Sequence, residues 1–210
     1  MNKIIICLPS PSIKELEDNI ESFKNVDCQW ASLNRFKAIE ENILYKIKKR
    51  LDVVYCSSPE RFSEGYKNIK DFKGLLITNS QIARQKINGI YNENKKVYVS
   101  DWGYGFSSLF AMICALIKLK YKQIFLFGAQ GYAENTENVY YSQYKFRNEN
   151  FKARKNSIYR DTKIMNKHFY ELLDYWGIET KDVDIYNVTQ KTKIDCFRKI
   201  SIPQCLKYLA

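Results

Sequence analysis

The chain has 210 residues, 45% apolar and 15% aromatic, with 34 Lys and Arg against 23 Asp and Glu for a net charge of +11. That length suits one α/β-sized domain able to bury a core without disulfides or a metal. The positive charge favours an anionic partner such as a nucleotide, an acidic sugar or an anionic lipid surface, and the spread of lysines without a long basic arm argues against nucleic acid.

Ile4-Ile5-Ile6-Cys7 is an apolar run cut by Pro9 and Pro11, and reads as a buried first strand. Residues 12–23 follow a helical pattern, with Ser12 as the expected N-cap and Glu15 completing a capping box. Gln29-Trp-Ala-Ser-Leu33 reads as the second strand, ending at Asn34-Arg35-Phe36, and 38–49 as a basic helix. Val53-Val54-Tyr55-Cys56 is a third strand that stops at Ser57-Ser58-Pro59. A helix is expected over 62–72, a fourth strand at Leu75-Leu76-Ile77-Thr78, a short segment at 81–86 and a further strand at 96–99.

The plainest unit follows: a helix over 107–118, a basic link, and a buried strand over 123–127 that ends in Gly128-Ala-Gln-Gly131. Residues 132–158 are polar, rich in Tyr and Asn and without clean periodicity, which in a compact domain reads as a lid or binding loop. A helix over 160–175, a strand over 184–188 and a short helix over 202–209 close the chain. Alternating short strands and helices predict a doubly wound, mostly parallel sheet covered on both faces. The whole of 1–210 is expected to be one domain.

Cys7, Cys28, Cys56, Cys114, Cys196 and Cys205 form no CxxC pair, and they read as buried thiols in a reducing compartment. One histidine in the chain excludes a His-rich metal site. The N-terminal apolar run is too short for a signal peptide and no run reaches transmembrane length, so a cytoplasmic location is expected. Peripheral contact with an anionic inner-membrane surface and homo-oligomerisation stay open.

In such sheets ligands sit outside the carboxyl ends of the strands. Small polar residues collect at those ends: Ser10 and Ser12, Asn34, Ser57, and Gly128 with Gln130. Ser107 and Ser108 add the N-terminus of the strong helix, where free amides favour an anion. Leu8-Pro-Ser-Pro-Ser12 stands where a dinucleotide site needs GxGxxG, so NAD is not expected. Asp182-Val-Asp184 has DxD spacing, but an isolated match before the last strand leaves the expectation at no metal. His168 is the natural acid or base if its helix faces the crevice. Tyr140, Tyr141 and Tyr144, with Lys145, Arg147, Arg154 and Arg160, could close over an anionic ligand.

The opening Lys3-Ile-Ile-Ile-Cys-Leu-Pro-Ser-Pro-Ser-Ile-Lys-Glu-Leu16 resembles the first strand and loop of the bacterial sialyltransferases of glycosyltransferase family 42, and of the related domain in flagellar motility accessory factors. Ala31-Ser-Leu-Asn-Arg-Phe36 is similar to that superfamily's second strand. Ser107-Ser108 through Tyr121-Lys-Gln-Ile-Phe-Leu-Phe-Gly128 to Tyr132 resembles its Thr/Ser-Ser helix and following strand end, with Gln130 where an Asp is usual. The closing Ile185-Tyr-Asn-Val-Thr189 strand fits as well.

The resemblance implies a Rossmann-like domain with a lid, a nucleotide-sugar donor, CMP-linked in the sialyltransferases, and metal-independent, inverting transfer of an acidic sugar to a glycan acceptor. It places Ser10 and Ser12 along the nucleotide crevice, Asn34 at the donor nucleotide, Ser57 where the family often has Asn, and Ser107 and Ser108 at the donor. It makes Tyr140 or Tyr141 the phenols at the leaving phosphate. A non-catalytic sugar-nucleotide binding module and a Mg²⁺-dependent pterin-type diphosphokinase are the alternatives it leaves.

Overall fold

The computed structural model describes residues 2–34, 36–56, 72–79, 97–100, 107–132 and 148–210. Its strands are β1 (Lys3–Cys7), β2 (Gln29–Leu33), β3 (Val53–Cys56), β4 (Leu75–Asn79), β5 (Val97–Ser100), β6 (Gln123–Phe127), β7 (Asp184–Asn187) and β8 (Arg198–Lys199). They form one sheet in the order β5-β4-β3-β2-β1-β6-β7-β8. Every pairing is parallel. This is the doubly wound α/β fold expected from the alternation of elements.

Period-two alternation splits each central strand between two cores. Ile5 and Cys7 of β1, Trp30 of β2 and Phe125 and Phe127 of β6 face one side. Ile4 and Ile6, Ala31 and Leu33, and Ile124 and Leu126 face the other. A parallel sheet buried on both faces needs apolar residues at both parities, which explains runs such as Ile4-Ile5-Ile6. The first side is covered by α1 (Lys14–Asp18), the short 3-10 turns around it and α5 (Ile202–Leu209), and the second by α3 (Ser108–Lys118) and α4 (Asn148–Tyr175).

Helix α3 is buried from Leu109 to Ile117 without interruption. A helix apolar all round belongs in a core, and each large side chain there contributes about 1.5–3 kcal/mol. It lies over β2 and β3 and carries the crossover from β5 at one edge to β6 beyond β1.

The two early helices are shorter than their patterns predict. Helix α1 stops at Asn19, whose side-chain amide donates to the Glu15 carbonyl at 2.8 Å. Helix α2 (Phe36–Asn42) stops in the same way, with the Asn42 amide donating to the Ala38 carbonyl at 2.8 Å. In each case an asparagine four residues on competes with the backbone for a helical carbonyl. The chain continues in 3-10 turns, Ile20–Phe23 and Leu44–Ile47, which still bury Ile20, Phe23, Leu44 and Ile47.

The expected capping box at Ser12 and Glu15 does not form. Ser10 occupies the N-cap of the Pro11–Ile13 turn, and Glu15 reaches instead to the Gln190 amide at 2.9 Å. A capping box is found at α5, where Ser201 and Gln204 satisfy each other's backbone amides.

Helix α4 begins at Asn148, so residues 148–158 of the expected lid are helical. Residues 155–160 are exposed or half-buried, leaving no buried stripe for periodicity to reveal. The stripe begins lower, at Thr162, Met165, Phe169 and Leu173. Residues 133–147 of the expected lid, residues 62–71 of the helix expected over 62–72, and the segment expected at 81–86 lie outside the described residues.

Candidate functional site

Strands β1 to β5 march to one side of β1, and the chain then returns to lay β6 on the other. The topological switch point therefore falls between β1 and β6, whose last residues Cys7 and Phe127 are register partners. Chains leaving two neighbouring strand ends in opposite directions open a crevice there, the usual ligand position in such sheets.

Four residues singled out by sequence meet at this point. The Ser10 hydroxyl donates to the Gly128 carbonyl at 2.6 Å. Its oxygen lies 2.9 Å from the Ser12 hydroxyl, and since Ser10 has one proton to give, Ser12 is the donor of that second bond. The Ser12 backbone amide donates to Gln130 Oε1 at 3.3 Å, and Gln130 Nε2 donates to the Tyr132 carbonyl at 2.8 Å. Gln130 is 7% exposed with both ends of its amide used, so it acts as a strut between the two strand-end loops.

The close approach depends on glycine. Gly128 has φ +75°, and a Cβ there would lie 2.3 Å from the Leu8 carbonyl oxygen. Gly131, at φ +71°, would place a Cβ 2.7 Å from Ile194 and 3.0 Å from Thr162. Both positions need the left-handed region and an empty side chain.

Beneath this loop lies a polar knot that the sequence pattern does not single out. Thr189 Oγ1 accepts from the Ala129 amide at 2.9 Å, and Thr192 Oγ1 donates to the Ala129 carbonyl at 2.6 Å. Asn187, fully buried at the end of β7, donates to Thr192 at 3.1 Å and accepts from the Thr189 amide at 3.1 Å. Residue 129 is thus held at both its amide and its carbonyl by residues some 60 positions further along. Sequence carries only one signal of this, polar residues at a strand end.

The other carboxyl ends repeat the theme. Ser32 donates to the Cys7 carbonyl at 2.8 Å and Thr78 to the Cys56 carbonyl at 2.9 Å, each satisfying a buried carbonyl where its strand ends. Asn34 follows β2 at φ +44°, a conformation asparagine tolerates better than most residues, with its amide donating to the Tyr55 carbonyl at 2.8 Å. Ser107 is the N-cap of α3, its hydroxyl accepting from the Phe110 amide at 3.2 Å, and Ser108 opens the first turn. Asn34, Ser107 and Ser108 therefore share the carboxyl edge with the Ser10–Gln130 cluster. Ser57, Tyr140 and Tyr141 lie outside the described residues.

The placement of His168 departs from the expectation of a base at the crevice. Helix α4 touches the crevice level at Thr162, which donates to the Gly131 carbonyl at 2.9 Å. His168 is six residues further toward the amino edge, about 9 Å along the helix axis and about 240° around it. It is partly exposed, with Nδ1 paired to Glu171 at 2.6 Å. The structure does not bring it together with Ser10, Ser12 or Gln130.

Asp182 and Asp184 lie at the start of β7, at the amino edge opposite the crevice, where the Asp184 amide donates to the Lys122 carbonyl. Among the described residues no group of three or more His, Cys, Asp or Glu could hold a metal ion. None of the six cysteines forms a disulfide; five of them are buried and Cys196 is half-buried. Burial pushes the thiols of Cys28, Cys114, Cys196 and Cys205 up to about 12, and that of Cys7 further in the same direction, so all are protonated at neutral pH. Among the described residues no helix is long and apolar enough to cross a membrane.

Fold and switch point together define a doubly wound α/β protein whose candidate ligand position lies at the carboxyl ends of β1 and β6. No protein-family model matches the chain, and no curated protein matches its sequence. Among solved structures, the chain is similar to the monofunctional alpha-2,3-sialyltransferase Cst-I from Campylobacter jejuni, with a TM-score of 0.58 and 17% identity over 96% of this chain and 81% of that one. It is also similar to an alpha-2,3-sialyltransferase from Campylobacter jejuni in its apo form, with a TM-score of 0.53 and 16% identity over 96% of this chain and 80% of that one. The chain has a sialyltransferase-like fold.

Proposed function

We propose that the β1/β6 crevice binds the nucleotide of a sugar-nucleotide donor, and that the chain is a glycosyltransferase-like enzyme transferring an acidic sugar to a glycan hydroxyl in surface glycan synthesis. The observation that carries this reading is the coincidence of the switch point with the Ser10, Ser12, Gly128 and Gln130 cluster. The fold likeness to two sialyltransferases supports it, and the family resemblance of the sequence makes a CMP-linked donor the first candidate.

In this reading Asn34, Ser57, Ser107 and Ser108 line the donor side of the carboxyl edge. Tyr140 and Tyr141 are our choice for the phenols that stabilise charge on the departing phosphate. An acceptor hydroxyl would displace that phosphate in line, with inversion and without a metal. The described crevice residues are neutral hydroxyls and amides, so the group that takes the acceptor proton would come from another part of the chain or from solvent.

That neutrality favours a second reading, a binding module that holds a sugar nucleotide without turning it over. The two are separated by measuring melts with CMP, CMP-sialic acid, UDP, GDP and ATP, with and without Mg²⁺, followed by transfer assays on the nucleotide that binds. A ligand at about 100 times its dissociation constant stabilises the fold by about 2.7 kcal/mol. A metal-independent shift with cytidine nucleotides and release of CMP in the presence of an acceptor is the expected result. A shift without release would leave the binding module, and no shift with any nucleotide would overturn both. A shift that requires Mg²⁺ and ATP would favour the diphosphokinase alternative.

A further inference from the structure

Lys193 has no distinguishing signal in the sequence, yet the structure fixes it at the mouth of the crevice. Its amide donates to the Gln130 carbonyl at 2.8 Å, and its carbonyl accepts from Asn166 Nδ2 at 2.7 Å. The flanking residues are held as firmly. The Ile194 amide donates to Thr192 Oγ1 at 2.9 Å and the Asp195 amide to Asn166 Oδ1 at 2.8 Å. The backbone of this exposed residue is therefore clamped between α4 and the β6 strand-end loop.

From that anchor the side chain runs along the loop, placing its ammonium 5.8 Å from the centroid of the Tyr132 ring. Tyr132 is the residue whose carbonyl receives Gln130 Nε2, and Gln130 in turn receives the Ser12 amide. A continuous path, Ser12 to Gln130 to Tyr132 to Lys193, thus crosses the crevice and ends in a positive charge. A ring face directs a cation without neutralising it.

The carboxylates nearby are engaged elsewhere: Asp195 with Lys199 at 3.2 Å, Asp161 with Arg160 at 3.2 Å, and Glu15 with the Gln190 amide at 2.9 Å. Among the described residues none pairs with Lys193. Ser10, Ser12 and Gln130 meanwhile use their side-chain polar groups on one another and on the Gly128 and Tyr132 carbonyls, so that cluster shapes the crevice without offering a charge to an anion.

We infer that Lys193 is the anion contact of this crevice on its β6 side, its ammonium taking a phosphate oxygen of the bound nucleotide. The assignment rests on the nucleotide reading given above, and it adds a residue and a charge which that reading lacked. A lysine suits the task as a compact charge on a flexible stem that can follow the phosphate, whereas its backbone cannot move.

The test is calorimetric titration of CMP and of cytidine, which has no phosphate, into the wild-type chain, Lys193→Met and Lys193→Arg, with melting curves to confirm that each variant is folded. Lys193→Met should weaken CMP by roughly ten-fold or more, the worth of one charge-assisted contact. Cytidine should be unaffected, and Lys193→Arg should restore most of the CMP affinity. Unchanged CMP binding by a folded Lys193→Met, or an equal loss for cytidine and CMP, overturns the assignment while leaving the nucleotide reading standing. A wild-type chain that binds neither CMP nor UMP, GMP or AMP overturns both.

Discussion

The Ser10 hydroxyl donates to the Gly128 carbonyl at 2.6 Å, joining two strand ends that are 118 residues apart in sequence. This bond spans the switch point of the sheet, and it is possible because Gly128 lets its backbone come close to that of Leu8. The shape of the crevice therefore depends on a small number of backbone approaches.

Gly128→Ala should be strongly destabilising. The new methyl group would stand 2.3 Å from a backbone carbonyl that is part of the sheet edge, and φ +75° is unfavourable for any residue with a Cβ. Strain and clash together should cost about 2–4 kcal/mol, read as a fall in the urea midpoint without change of slope. A stability loss under about 0.5 kcal/mol would mean that the strand ends are not held this close.

Thr189→Val should act through the knot below the loop. The valine keeps the shape but leaves the Ala129 amide without its acceptor, a loss of about 1–3 kcal/mol for a buried donor. Thr189→Ser, which keeps the oxygen, should recover most of that loss. Equal denaturation midpoints for the valine and serine variants would show that the hydroxyl is not what matters.

His168→Ala should leave nucleotide binding and any transfer activity unchanged. The residue lies down the helix from the crevice, and its partly exposed pair with Glu171 is worth about 0–1 kcal/mol. A turnover rate lowered by about a hundred-fold with stability intact would place the imidazole in the chemistry after all.

Alkaline pH should weaken the fold. Thiols of Cys28, Cys114 and Cys205 titrate from 9.0 when unperturbed and are pushed up to about 12 in the fold by burial. Between those values the unfolded chain has lost protons that the folded chain keeps, so stability falls as pH rises. Their contribution is complete below pH 9 and is lost progressively toward pH 12, on the order of 1 kcal/mol per thiol by pH 10. Urea midpoints at pH 7 and pH 10 measure the difference, and a triple Cys→Ala variant should reduce it, leaving the share that comes from Cys7 and Cys196. An unchanged midpoint at pH 10 would show that these thiols are open to solvent.

Strands are the most legible elements. Mostly apolar runs of four or five residues that end near Pro, Ser, Asn or Gly place β1, β2, β3, β4, β6 and β7 to within a residue, because a parallel strand covered on both faces is largely apolar at both parities. The two-residue strand β8 has exposed side chains and offers no pattern to read. Helix ends are less legible. Asn19 and Asn42 look like ordinary polar residues on a helix face, and only the observed bonds to Glu15 and Ala38 explain why each helix stops there.

The candidate site divides along the same line. Small polar residues at strand ends follow from composition near a turn, so Ser10, Ser12, Gly128 and Gln130 stand out from the order of residues alone. Their mutual contacts do not, since these depend on β6 lying beside β1 and not beside β5, the strand that precedes it in the chain. Lys193, Asn187 and Thr192 are silent because nothing local distinguishes a lysine or threonine in a polar loop from a solvated one.

Local sequence determined the alternation of strands and helices, the two-sided burial and the glycines and serines available at the carboxyl edge, because these depend on neighbours along the chain. The order of the strands, the meeting of Ser10 with Gly128, the removal of His168 from the crevice and the position of Lys193 at its mouth were decided by tertiary structure. Each of them requires segments tens of residues apart to be packed side by side, and only burial of both sheet faces sets which segments those are.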